Sequence, residues 1–297
     1  MGAGHDHAGA RHRWRLAVAF GLVGAFFVVE LVVALTSRSL SLLSDAGHLA
    51  ADVVALGAAL VATRVAARPD ATGRRSYGSY RAEVFASGLA VLLMLAVSAY
   101  VVVEAVRRLG EPVEVTTGAM VVVGVVGLFV GGASIALLRG GAQESLNVRG
   151  AYLEVLADTA GAAGVIVAGL LVVATGSPMW DTAVAVAIGA FVAWRAVLLG
   201  RQVLAVLGQH VPAGLEPADV LADLCGLRGV SDVHDLHVWT LTSGMNVATA
   251  HLVSEPDADV QAILRDGTTL LRETHDIAHA TLQVEPATGQ QCHDTDW

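Results

Sequence analysis

From residue 16 to about residue 207 Ala, Val, Leu and Gly dominate the chain in long apolar runs, with polar residues clustered in short stretches between them. A helix needs roughly 20 mostly apolar residues to cross a bilayer. Six stretches reach or approach that length: residues 16–35, 42–61, 82–103, 117–138, 151–175 and 179–199. None alternates with a period of two, and lipid demands that backbone polar groups be satisfied internally, so the pattern predicts six transmembrane helices. The first stretch follows Arg11, Arg13 and Arg15 but is too long for a signal-peptide core and has no clear small-residue cleavage site, so it reads as a retained span. From about residue 209 the pattern becomes that of a water-facing domain. A helix is predicted over 217–226, strands over 232–241 and 246–253 around the turn TSGM, a helix over 257–275 and a closing strand over 280–285. That αββαβ order predicts a small α+β layer fold. The expected organisation is a polar tail (1–14), a six-helix membrane domain (15–207), an α+β domain (208–290) and a C-terminal tail (291–297).

Arginine placement orients the spans. With the N-terminus inside, the inner side holds Arg11, Arg13, Arg15, Arg64, Arg68, Arg74, Arg75, Arg81, Arg139, Arg149 and Arg201, against Arg38, Arg107 and Arg108 outside. Both termini and the α+β domain are then cytoplasmic. Gly124, Gly127, Gly131 and Gly132 give span four a small-residue face for close helix packing.

Composition sharpens this picture. The chain is 55% hydrophobic and 15% charged, against roughly 25% charged in an ordinary soluble domain. Its net charge of −9 argues against nucleic acid as a partner. Two cysteines, Cys225 and Cys292, make no disulfide framework.

The informative residues are the ionisable ones inside the predicted spans, each costing about 2.5–3.5 kcal/mol at mid-membrane on insertion scales. Span two carries His48 and Asp52, and span five carries Glu154 and Asp158. Each pair is four residues apart, about one helical turn, so each projects from a single face. Two such faces turned toward each other present one nitrogen and three carboxylates, which suits a divalent ion of the zinc type. The competing reading is interhelical hydrogen bonding or a proton path without metal. Asp45 is either an entry residue for that site or a cap for the start of span two. Glu30 and Glu104 have no partner that spacing identifies.

With these motifs in order, the chain resembles the cation diffusion facilitator family, which includes bacterial zinc and cadmium exporters. The resemblance rests on SLSLLSDAGHLAADVVAL (39–56), SYGSYRAEVFASG (76–88), NVRGAYLEVLADTAGAAGVIVAGLL (147–171), GVSDVHDLHVWTLTSGMNVATAHLV (229–253) and HATLQVE (279–285). It implies a six-helix membrane domain, a ferredoxin-like cytoplasmic domain, a homodimer, and exchange of a divalent cation for protons, with no prosthetic group. It places the transport site at His48, Asp52, Glu154 and Asp158. It also implies a cytoplasmic metal site at His234, His251 and Glu285, with Gln283 at one further ligand position. Cys292 and His293 lie in a tail that could reach such a site, and the competing reading is a plain dimerisation domain with surface histidines. His234 and His237 are three apart in one strand and are expected on opposite faces.

The chain departs from the family's zinc exporters at Glu154, where they carry His. A dication then leaves one negative charge on the site. Two outcomes stay open: Glu154 stays protonated and carries a proton, or the site has drifted toward a harder metal such as manganese. Zinc heads the expected substrates, ahead of cadmium, cobalt, iron and manganese. The short HDHAGARH segment (5–12) is a metal-collecting candidate or a plain tail. A membrane metal sensor and an intramembrane metalloenzyme are the alternatives. An H-E-x-x-H motif is absent, and the ligands come in pairs without a catalytic partner. A prokaryotic inner or plasma membrane is the expected location.

Overall fold

The computed structural model describes residues 7–65, 77–110, 113–139, 146–242 and 244–287. Expectations for His5, Arg68, Arg74, Arg75, Cys292 and His293, and for most of the loop between spans four and five, lie outside the described residues, as do those for the side chains of His7 and His12. The fold divides into two units, Met1–Thr63 with Ala86–Gly200, and Arg64–Phe85 with Arg201–Trp297.

The first unit is built from long helices: α1 (His7–Ser37), α2 (Leu40–Val65), α3 (Ala82–Gly110), α4 (Thr117–Leu138), α5 (Leu146–Thr175) and α6 (Met179–Leu207). α1 starts at His7, ahead of the expected position 16. Among the described residues, five helices are long and apolar enough to cross a membrane, in α1 and α3 to α6. The remaining long helix, α2, carries Ser41, Ser44, Asp45, His48 and Asp52, all buried. Large apolar side chains point outward, Phe129 at 75% and Leu204 at 68% exposure, while Glu30, Asp45, His48 and Asp181 are at most 2% exposed. Apolar outside and ionisable inside is the pattern of a protein whose solvent is lipid.

The corner between α1 and α2 fixes the height of α2. Arg38 takes a left-handed conformation (φ 56°) and turns the chain back. Ser39 Oγ accepts from the backbone N–H of Leu42 at 3.2 Å, an N-cap. Asp181 at the start of α6 then accepts from the N–H groups of Leu40 and Ser41 at 2.7 and 3.1 Å, and from the hydroxyls of Ser39 and Ser41 at 2.8 and 2.6 Å. Arg108 near the end of α3 donates to Asp181 at 3.3 Å, to the carbonyl of Arg38 at 3.0 Å and to Glu104 at 3.3 Å. Arg108 is therefore buried, and Glu104 gains a partner one turn away.

The glycine face of α4 packs on α5 and α1. A Cβ on Gly124 would lie 2.6 Å from Ile166, and one on Gly127 would lie 2.8 Å from Phe26 and 3.0 Å from Ala162. Side chains at these positions would push α5 away, so the small residues set how closely α5 approaches.

The second unit contains α7 (Pro217–Cys225), β1 (Val230–Thr242), β2 (Met245–Ser254), α8 (Val260–Thr274) and β3 (His279–Pro286). The sheet order is β1-β2-β3, with β1 antiparallel and β3 parallel to β2. Val220 and Leu224 of α7 and Ile263 and Leu271 of α8 pack with Val233, Val238, Ala250 and Leu252 of the sheet into one core. Asp259 caps α8 by accepting from the N–H groups of Gln261 and Ala262. A bulge interrupts β1 between His234 and His237, which pair with His251 and Thr249, and Asp235 within it has φ 52°. The extra residue shifts the alternation by one, so His234 and His237 share a face, contrary to the expectation from spacing.

Candidate metal centre

α2 and α5 bring together three of the expected residues. His48 Nε2 lies 3.3 Å from Asp158 Oδ1 and 3.6 Å from Asp52 Oδ2. One ligand atom from each falls within 4.8 Å of the others. The helical turn between His48 and Asp52 stacks them on one face of α2. Gly161, one turn beyond Asp158, has no side chain where Asp45 of α2 presses against α5. That small residue lets the two helices meet at the level of the site.

The three side chains are between 3% and 14% exposed. Among the described residues, Asp52 Oδ2 and Asp158 Oδ1 are buried without a hydrogen bond. Leaving such atoms unpaired is costly unless a cation or proton meets them. One imidazole nitrogen and two carboxylates at this separation fit a zinc-type divalent ion, with further ligands from water or a neighbouring group.

Glu154 stands apart from this trio. Its carboxylate is ion-paired with Arg195 of α6, whose other terminal nitrogen lies 2.9 Å from His48 Nε2. Helical spacing does not single out Arg195. An arginine inside a predicted span is itself a signal for a buried functional charge, but an inside–outside count of loop arginines passes over it. Asp45 is not the cap of α2, because Ser39 and Asp181 do that work. Instead it is buried beside Glu30 of α1, the buried acid for which spacing offers no partner.

The second unit holds a separate cluster on the sheet face opposite its helices. His234 and His251 are cross-strand partners, with rings 5.1 Å apart. Glu285, paired with Val253 in the parallel ladder, lies 3.0 Å from His251 Nδ1 and 3.7 Å from His234 Nε2. Their ligand atoms also fall within 4.8 Å of one another. Gln283 donates to Glu285 at 2.8 Å. His237 shares the face but is bonded to Asp235 at 2.9 Å and stays outside the cluster.

Comparison with known proteins matches residues 16–207 to the cation efflux transmembrane domain and residues 212–287 to the cation efflux protein cytoplasmic domain. The metal cation efflux system protein CzcD of Cupriavidus metallidurans is 39% identical over 98% of this chain and 92% of its own length. The zinc transporter ZitB of Escherichia coli is 35% identical over 94% of this chain and 90% of its own. A cadmium, cobalt and zinc/H(+)-K(+) antiporter of Bacillus velezensis is 31% identical over 97% of this chain and 93% of its own. A solved metal-bound C-terminal domain of the CzcD transporter from Cupriavidus metallidurans is 33% identical, covering 24% of this chain and 99% of its own at a TM-score of 0.23. Matched along both of its units, with ionisable side chains gathered inside an apolar helical shell, the chain belongs to the cation efflux family, the cation diffusion facilitators.

Proposed function

We propose that this protein exports divalent metal cations, zinc foremost, from the cytoplasm in exchange for protons. The observation that carries this is the convergence of His48, Asp52 and Asp158 from two helices inside an apolar unit. Carboxylate oxygens and an imidazole nitrogen bind metal only when deprotonated, so metal and protons compete for the same atoms. Opening the site to the cytoplasm loads the ion and releases protons. Opening it outward lets external protons displace the ion.

In this reading α1 to α6 all cross the membrane, α2 included, because its polar residues face inward. Both termini and the α+β domain are cytoplasmic, in the inner or plasma membrane, with boundaries near residues 15–207 and 208–290. The αββαβ order supports a ferredoxin-like domain that holds two copies together. His234, His251 and Glu285 bind a regulatory divalent ion there. A sensor or a metalloenzyme needs no net flux, so flux separates these readings. In proteoliposomes with an imposed pH gradient, zinc accumulates with the wild type and not with Asp52→Ala or Asp158→Ala at equal inserted protein. Flux at the wild-type rate in both variants overturns the assignment of the site.

A further inference from the structure

We propose that Arg195 is the internal counter-cation of the transport site, neutralising Glu154 so that the site's charge matches one divalent ion. The inference rests on the site assignment given above and deepens it.

A guanidinium inside a spanning helix is expensive and persists where it is paired. Arg195 is 20% exposed and uses its two terminal nitrogens on two different site residues, Glu154 and His48. Its position over the Phe191 ring, 5.9 Å from the centroid, adds a contact that holds the side chain across the face of α6. Guanidinium groups donate and never accept. His48 Nε2 must therefore accept from Arg195, which puts the ring hydrogen on Nδ1, a buried atom with no partner among the described residues. The lone pair that faces Arg195 is the one that also faces Asp52 and Asp158. It is the pair a metal ion would take.

Two consequences follow from this geometry. The first is charge. Asp52, Asp158 and Glu154 with Arg195 leave two negative charges when ionised, and one divalent ion cancels both. Glu154 without the arginine would leave one charge uncompensated beside the buried His48, Asp52 and Asp158. The second is occupancy. Arg195 and a metal ion compete for the same His48 lone pair. A metal ion must displace the Arg195 N–H, and the arginine retains Glu154 as its anchor while it yields. Arg195 is thus a positioning residue that acts on the ligands through charge and hydrogen bonding.

A charge-swap cycle tests this in full-length protein reconstituted into proteoliposomes, with zinc as the probe. Arg195→Gln and Glu154→Gln each unbalance the site in opposite senses and are expected to lower zinc transport at least about tenfold. The double variant restores balance and is expected to recover to within about threefold of wild type. Zinc affinity of the purified variants, measured by calorimetry, is expected to fall and recover in the same pattern, which a purely structural arginine would not produce. Arg195→Lys keeps the charge without the fork and is expected to outperform Arg195→Gln. Wild-type transport by Arg195→Gln overturns the proposal, and so does a double variant no better than the weaker single. If Arg195→Gln fails to accumulate in the membrane, Arg195→Lys and the double variant decide on the same terms. Asp52→Ala run alongside separates the two levels. Its activity would refute the site itself, whereas its silence beside an unaffected Arg195→Gln refutes only the role of Arg195.

Discussion

At the scale of single residues, the site turns on what accompanies Glu154. The i, i+4 spacing puts His48 with Asp52 and Glu154 with Asp158 on helix faces, because spacing within a helix is a local property that sequence displays. Which members of those faces share a point is a property of neighbouring helices. The structure assembles His48, Asp52 and Asp158 and ties Glu154 to Arg195. Replacing Glu154 by His alone would set an imidazole against an unpaired guanidinium. The informative variant is therefore Glu154→His together with Arg195→Gln, which keeps two negative charges and adds a nitrogen ligand. Imidazole favours zinc, and carboxylate suits harder ions. Competition uptake with this double variant is expected to raise the zinc-to-manganese ratio about tenfold over wild type, a difference of about 1.4 kcal/mol. An unchanged ratio would show that position 154 does not set selectivity.

At the scale of elements, the position of α2 depends on Asp181. Hydrophobic patterning reveals that α2 and α6 are helices, but not that a carboxylate at the start of one caps the first turn of the other. That link joins residues 141 apart in sequence. The same blindness explains the bulge in β1, where spacing alone puts His234 and His237 on opposite faces and only the pairing partner on β2 reveals the extra residue. Asp181→Ala removes the acceptor of four hydrogen bonds from residues 39–41 and leaves the buried Arg108 without its closest carboxylate on α6. Breaking a buried charge pair on one side costs about 3–5 kcal/mol when the remaining charge has no other partner, and because Arg108 keeps Glu104 the ion-pair part of the cost falls below that range. The variant is expected to unfold at a clearly lower temperature in detergent. Asp181→Asn, which keeps an acceptor and loses the charge, should fall between it and wild type. Equal thermal midpoints for all three would mean that the height of α2 is set elsewhere.

At the scale of the whole molecule, two units built for different solvents each carry their own candidate metal site. The switch in hydrophobic pattern near residue 208 makes this division readable, because lipid-facing and water-facing helices differ in composition along their full length. The candidate metal site of the α+β unit is less readable, since it is gathered from three strands whose pairing no local spacing encodes. Its histidines would pass for surface groups without the register that sets His234 edge-on to His251 and brings Glu285 beside them. A ligand that binds only the folded state raises stability by about 2.7 kcal/mol at a hundredfold excess over its dissociation constant. Because each unit has its own core, unfolding of the full chain is expected in two steps, each moved by its own site. Added zinc should raise both transitions in wild type. His251→Ala should abolish the zinc-dependent rise of the transition assigned to the α+β unit and leave that of the helical unit in place, and Asp158→Ala should do the reverse. Loss of both shifts in either single variant would mean that zinc acts through one site alone, with the other cluster serving only to pack its unit.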